Sequence, residues 1–378
     1  MIRNKPLLSF CMIVKNEEAY LPHCLQSVKD VADELIVVDT GSSDSTKEIA
    51  QSYGAQVYDF QWCDDFAAAR NFGLDRSNGQ YILFLDADEE LDFAAASQLR
   101  AFLQDTAADG IYLIVRSYST PDALAPYYDS QQVRLFRNCR TYRFQNAIHE
   151  MIYPAIAAQG GRFAKSSFII HHYGYLKQVV QATESRIERD RRILENMVLR
   201  HPDSLYAKAK LGFIYLIEKK YPQAFNLLTE VVQQVDANTV EADFLQSLFV
   251  ALAETSLYLR NYDVAKKSAQ AGWALNAEPL LTRSAKFYQA LASSASTLER
   301  LEELAASAEM SISKSHLYAE LKHMEHEIKS AAVLLNELCT EQDLLPQALK
   351  TLYHWRQKVN AAHKLVQNLL GVYHEEIE

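Results

Sequence analysis

The chain has 378 residues, 49% of them hydrophobic, with only 11 glycines, 9 prolines and a formal charge of −10. That size allows two or three domains with real cores and excludes low-complexity or collagen-like chains. No Lys/Arg block stands out, which argues against a nucleic-acid partner.

Five cysteines occur, Cys11, Cys24, Cys63, Cys139 and Cys339, and no CxxC pair. This fits a reducing compartment better than a disulfide framework or a zinc site. No stretch reaches the ~18–20 apolar residues of a membrane span. The N-terminal apolar run is short and broken by charge, unlike a signal sequence. The expectation is a soluble, cytoplasmic protein.

The first half alternates strand and helix patterns. Leu7 to Val14 reads as a strand, Glu17 to Lys29 as a helix, and Glu34 to Val38 as a strand. A helix from Asp44 to Tyr53 takes Ser42 or Ser43 as its cap. Ala55 to Phe60 is a strand, Asp64 to Ser77 a helix, and Gln80 to Leu85 a strand entered from the turn Asn78-Gly79. This alternation implies βαβ units and a mostly parallel sheet.

A helix from Phe93 to Thr106 and a strand from Gly110 to Arg116 come next. Stretch 117 to 150 is irregular, with short paired strands expected at Val133 to Phe136 and Tyr142 to Gln145. A last strand, Ser167 to Ile170, runs into His171-His172-Tyr173-Gly174-Tyr175.

Strand signals vanish after Leu176. Leu211-Gly212-x-x-Tyr215 and Ala224 match the tetratricopeptide pattern, and Lys220-Tyr221 recurs as Asn261-Tyr262, 41 residues on. Two such repeats are expected, and the region near 280 to 310 has room for a third. Stacked helical hairpins leave a concave side for peptides or helices; a plain helical bundle is the alternative. Leu317, Leu321, Met324 and Ile328 in the last stretch fit either core packing or a dimer interface. The expected domains are 1–175, 176–311 and 312–378.

In open α/β sheets, ligands bind beyond the carboxyl ends of the strands. Three polar clusters fall there: Val14-Lys15-Asn16-Glu17-Glu18, Asp39-Thr40-Gly41-Ser42-Ser43-Asp44, and Asp86-Ala87-Asp88. Helix capping explains one acidic cluster, but not three converging on one edge. GxGxxG and GxxxxGK[ST] are both absent, so no glycine loop cradles a phosphate. Asp-x-Asp instead points to Mn²⁺ or Mg²⁺ carrying the phosphate charge.

Together, VKNEE, VDTGSSDST, the F-x-x-A-R-N run from Phe66 to Asn71 and FLDADEEL resemble the family 2 glycosyltransferases of the GT-A fold. The resemblance covers about residues 6 to 175. Ile148-His149-Glu150, the ending His172-x-Gly174-Tyr175 and the helices beyond resemble a narrower branch, which includes bacterial S-glycosyltransferases that modify cysteine in glycopeptide bacteriocins.

The resemblance implies an inverting transfer of a hexose from a UDP-sugar, supported by Mn²⁺ or Mg²⁺, to a peptide acceptor. It places Asp39 on the uracil ring, with the Val14-Lys15-Asn16 backbone and Glu17 lining the nucleotide pocket. Arg70 falls near the uridine or diphosphate, and Asp86 near the ribose or metal. Asp88 is the principal metal ligand, and His172 completes the metal or diphosphate site. Glu150, His149 and Glu89 are the candidates for the group that deprotonates the acceptor.

Two rival readings change the acceptor to a cell-surface polysaccharide or lipid-linked sugar, or make the chain a helical adaptor with a vestigial transferase domain. His171 is expected to be structural, and the cysteines to be core or surface thiols.

Overall fold

The computed structural model describes residues 5–118, 127–174 and 183–307, together with shorter helical stretches including 321–330 and 357–364. By contacts the chain divides into two compact units, Met1–Met197 and Val198–Glu378.

The first unit is built on strands β1 (Leu8–Val14), β2 (Glu34–Asp39), β3 (Gln56–Asp59), β4 (Tyr81–Phe84), β5 (Glu89–Leu91), β6 (Gly110–Tyr118), β7 (Tyr127–Arg137) and β8 (Phe163–His172). They form one sheet in the order β3-β2-β1-β4-β7-β6-β8-β5. β1–β2, β1–β4, β2–β3 and β6–β8 pair in parallel, while β4–β7, β5–β8 and β6–β7 are antiparallel. The sheet is therefore mixed. Its parallel part is the half that carries the strand-end clusters.

Side chains alternate across each strand. Leu8, Phe10, Met12 and Val14 of β1 enter one core with Leu21, Leu25 and Val28 of helix α1 (Leu21–Val28). Cys11 faces the other core, with Ala67 and Leu74 of helix α3 (Phe66–Leu74). Helix α2 (Thr46–Ser52) joins β2 to β3, α4 (Phe93–Asp105) leads to β6, and α5 (Tyr153–Ala158) precedes β8.

Several expectations need correction. Tyr142–Gln145 is not a strand; Gln145 makes only an isolated bridge to Met151. The expected Val133–Phe136 is part of the longer β7, which pairs instead with β4 and β6. Neither Ser42 nor Ser43 caps α2. The Asp44 carboxylate accepts from the Thr46 amide at 3.1 Å, while Ser42 and Ser43 bond to Asn16. α1 starts four residues late because Asn16 is left-handed (φ 57°) and the Glu17 carbonyl closes a separate turn on the Tyr20 and Leu21 amides.

The second unit pairs helices Leu205–Ile217 with Tyr221–Gln234 and Ala242–Tyr258 with Tyr262–Leu275. These are the two expected hairpins. Gly212 explains the first: a Cβ there would stand 2.9 Å from Leu228 Cδ2, so its absence lets the helices close. The buried Gln246 ties the second hairpin to the helix beyond it. It donates to Gly272 O and Thr282 Oγ1, both at 2.9 Å, and accepts from the Glu278 amide at 2.8 Å.

Residues 279–307 form one unbroken helix in the region that had room for a third hairpin. Leu321, Met324 and Ile328 are buried; Leu317 and Tyr175 lie outside the described residues. No helix among the described residues is long and apolar enough to cross a membrane.

Candidate active site

Strand order reverses between β1 and β4, and the candidate residues gather at the carboxyl ends of β2, β1 and β4. Val14 pairs with Asp39, and its carbonyl accepts from both the amide and the hydroxyl of Thr40, at 2.9 and 3.0 Å. The loops after β1 and β2 are stitched together. The Asn16 amide donates to Ser42 Oγ (2.9 Å), the Ser43 amide to Asn16 Oδ1 (2.8 Å), and the Glu17 amide to Thr46 Oγ1 (2.7 Å).

Asp39 is 1% exposed. Its Oδ1 accepts from the Gly41 and Ser42 amides, each at 2.9 Å. Its Oδ2 is buried and has no hydrogen-bond partner among the described residues. A buried acceptor left unpaired is costly.

The second cluster centres on Arg70. Asp65 caps α3 by accepting from the Ala68 amide, and Ala69 and Arg70 are both buried. Asn71 exchanges two bonds with the backbone of Phe144, and the Phe66 amide donates to Ala147 O. The F-x-x-A-R-N run thus holds the loop that carries His149 and Glu150.

Arg70 Nη2 donates to Asp86 Oδ1 and its Nε to Glu150 Oε1, both at 2.6 Å. Burial opposes the Arg70 charge, but the two carboxylates more than offset it, and its pKa is raised. His149 is exposed and left-handed (φ 54°), conformational strain of a kind that concentrates at functional loops.

Arg134 on β7 belongs to none of the sequence motifs. Its Nη2 donates to Glu89 Oε1 at 2.7 Å, and its Nη1 lies 3.6 Å from Asp86 Oδ2. Arg70 and Arg134 both stand over the Phe84 ring, at 5.1 and 4.9 Å. The one sequence signal for it is a single arginine inside the apolar run Val133–Phe136. Asp86 thus spends both oxygens on arginines. Burial works against its charge, but the arginines win and hold its carboxyl well below the usual range.

Glu89 is 1% exposed and also accepts from the Asp86 amide at 2.9 Å. Burial pushes its carboxyl up to about 7, against the pull of Arg134. The two influences conflict; the fully buried position sets the direction, and the close Arg134 contact limits it.

The third cluster depends on β5, a strand too short and too acidic to be read from sequence. It pairs Glu89 with His172, and the Tyr173 amide donates to Asp88 O at 2.9 Å. A Cβ on Gly174 would overlap His172 Nε2 and stand 2.8 Å from Asp88 Oδ2. Asp88 and His172 therefore converge on a space that only glycine leaves open. His172 Nδ1 meets Ser117 Oγ at 3.1 Å. His171 is held between Tyr118 OH (2.8 Å) and Asp92 Oδ2 (3.1 Å).

Among the described residues no three His, Cys, Asp or Glu side chains form a complete metal cage. One carboxylate and one imidazole suit a cation that shares its coordination with phosphate oxygens and water. The cradle at Gly174 fits such an ion.

A buried carboxylate with one unpaired oxygen, a buried arginine network and a converging Asp–His pair thus lie along one strand edge. Residues 9–170 match the family described as glycosyl transferase family 2, so the chain carries a glycosyltransferase domain of that family.

The chain is 39% identical over 233 residues to a TPR repeat-containing protein of Synechococcus elongatus, covering 60% of this chain and 57% of that protein. It is 32% identical over 165 residues to the lipopolysaccharide core biosynthesis glycosyltransferase LpsC of Rhizobium meliloti, covering 41% and 59%. It is 29% identical over 148 residues to the SPbeta prophage-derived glycosyltransferase SunS of Bacillus subtilis, covering 38% and 34%. The matches thus span between about a third and three-fifths of the length of these relatives.

Proposed function

We infer that this chain transfers a hexose from a UDP-sugar, with inversion, to a peptide acceptor. The observation that carries the donor assignment is the buried, unsatisfied Asp39 Oδ2 at the end of β2. It suits the ring N–H of a uracil. Asp86 ends β4, two strands away, which is about 10 Å at the usual strand spacing. A nucleoside diphosphate is long enough to bridge that distance.

Asp88 and His172 would hold Mn²⁺ or Mg²⁺, which when bound offsets charge on the departing diphosphate. Arg70 orients Asp86 and Glu150 toward the same edge. Among the three candidate bases, Glu150 is best placed. Its side chain is 14% exposed and Arg70 fixes one oxygen, whereas Glu89 is sealed and both its oxygens are bonded. His149 is its exposed neighbour on the acceptor side.

In the transfer, the acceptor atom forms a bond to the anomeric carbon as the bond to the diphosphate oxygen breaks. The electron pair leaves with UDP and the acceptor proton passes to Glu150. A thiol, with pKa about 8.5, needs only a weak base, so a cysteine of a bacteriocin precursor fits this arrangement. The helical repeats offer the surface that would present a peptide. The lipopolysaccharide named for one relative favours a second reading, transfer to a saccharide.

The test is UDP release from a panel of UDP-sugars, with Mn²⁺ and with chelator, for the native chain and Asp88→Asn. Metal-dependent release of UDP from one donor, lost in a variant that still folds, is expected. Cysteine peptides, their serine versions and oligosaccharides then compete as acceptors. Failure of UDP with Mn²⁺ to bind in calorimetry would overturn the transferase reading.

A further inference from the structure

The helical unit holds a cation that the sheet site does not use. Residues Tyr206, Lys210, Phe213 and Ile217 are spaced four, three and four apart, so they share one face of helix Leu205–Ile217. The fully buried side of that helix carries Ala207, Leu211 and Gly212; Phe213 and Phe244 are half-buried against the same core and keep part of their rings at the surface.

Lys210 Nζ lies 5.5 Å from the Tyr206 ring, 5.9 Å from Phe213 and 5.5 Å from Phe244. Phe244 belongs to the next hairpin and packs on both other rings, at 6.5 and 6.4 Å. The ring faces attract the ammonium and fix its position, but they do not neutralise it. Among the described residues no carboxylate pairs with Lys210. By contrast, Lys208 pairs with Glu230 at 2.5 Å and Lys220 with Glu218 at 2.8 Å.

A shortage of acids is not the reason, since the chain has 48. Burial disfavours the Lys210 charge and lowers its pKa; an incoming anion would compensate. Ile217, 59% exposed, extends the stripe with an apolar end.

We propose that this face docks an acidic peptide segment, one carboxylate pairing with Lys210 while neighbouring side chains lie on Tyr206, Phe213, Phe244 and Ile217. A stripe of three helical turns, about 16 Å long, matches about five residues of extended chain. A small anion would leave most of it uncovered. The proposal stands whether or not the sheet site uses a peptide acceptor.

The probe is a rhodamine-labelled hexaglutamate peptide, titrated by fluorescence anisotropy against the full chain, with hexaserine as control. The chain's net charge of −10 opposes nonspecific attraction of the peptide. The native chain should bind hexaglutamate and not hexaserine. Lys210→Met, which keeps the apolar stem, should weaken binding at least tenfold, and Lys210→Arg should retain it. Absence of binding by the native chain, or equal binding by a folded Lys210→Met, overturns the proposal. So does displacement by free glutarate at the same carboxylate concentration, which would show a small-anion site.

Discussion

At the scale of single residues, the proposed donor and metal sites turn on two positions, Asp39 and Gly174. Asp39 Oδ2 is a buried acceptor that the described residues leave unpaired. Asp39→Asn keeps an oxygen for the Gly41 and Ser42 amides but can put a donor where the uracil N–H would arrive. Loss of a hydrogen bond to a charged group is worth about 1.5–3 kcal/mol. UDP affinity should therefore fall about 10- to 100-fold with little change in melting temperature; calorimetric titration reads the first and thermal unfolding the second. The other position is Gly174. Its missing Cβ keeps Asp88 and His172 converged, and its backbone is not in the left-handed region, so alanine introduces no φ strain. Gly174→Ala should cut Mn²⁺-dependent UDP binding by about tenfold or more, as displaced metal-site groups commonly do, while UDP binding in chelator stays the same. Equal losses with and without metal would place the glycine's role outside the ion site.

At the scale of elements, sequence periodicity located β1, β2 and β4 because each is a run of apolar residues ended by acids. The convergence of those ends came from βαβ connectivity. What stayed hidden was whatever depends on a distant partner. β5 is three residues, Glu89 to Leu91, and is a strand only because β8 lies beside it. Arg134 looks like an ordinary strand residue until β7 pairs with β4 and sets it beside Asp86. Ser42 and Ser43 resembled caps but serve Asn16 on the neighbouring loop. In the helical unit, repeat signatures found both hairpins, yet not the Glu254–Tyr288 contact between the second hairpin and the long helix. Burial raises the Glu254 carboxyl above its ordinary range, with the Tyr288 hydroxyl only partly offsetting this. The folded chain therefore holds that proton more tightly than the unfolded one. The group's penalty is accordingly absent below the unfolded value of about 4.3 and grows as pH rises toward and through the folded value. Glu254→Gln accepts the same hydroxyl without charge. Its melting temperature relative to the native chain should climb between pH 4.5 and pH 8, read by circular dichroism at a fixed salt concentration. A difference that stays constant across that range would remove the buried carboxylate as the cause.

At the scale of the whole molecule, the question is where the transferase portion ends. The strand-end motifs run out near residue 175, which is where the sequence places the boundary. Contacts instead carry the first unit to Met197, through most of helix Thr183–Arg200. Arg192 forms a two-point bond with Asp64, Nε to Oδ2 and Nη2 to Oδ1, each at 2.8 Å, and Arg189 stands 5.0 Å from the centroid of the Phe66 ring. Asp64 and Phe66 lead into α3, whose Arg70 organises Asp86 and Glu150. An exposed ion pair alone contributes little, but Ile193 and Leu194 of the same helix are fully buried, and each such side chain contributes about 1.5–3 kcal/mol. The helix should thus act as part of the transferase unit. A fragment of residues 1–200 should fold and bind UDP like the full chain, because every donor-side candidate lies between Val14 and His172. A fragment of residues 1–175 should melt markedly lower and lose UDP affinity as α3 loosens. Thermal unfolding and calorimetry on the two fragments decide the matter: equal stability would return the boundary to residue 175 and leave helix Thr183–Arg200 as a connector.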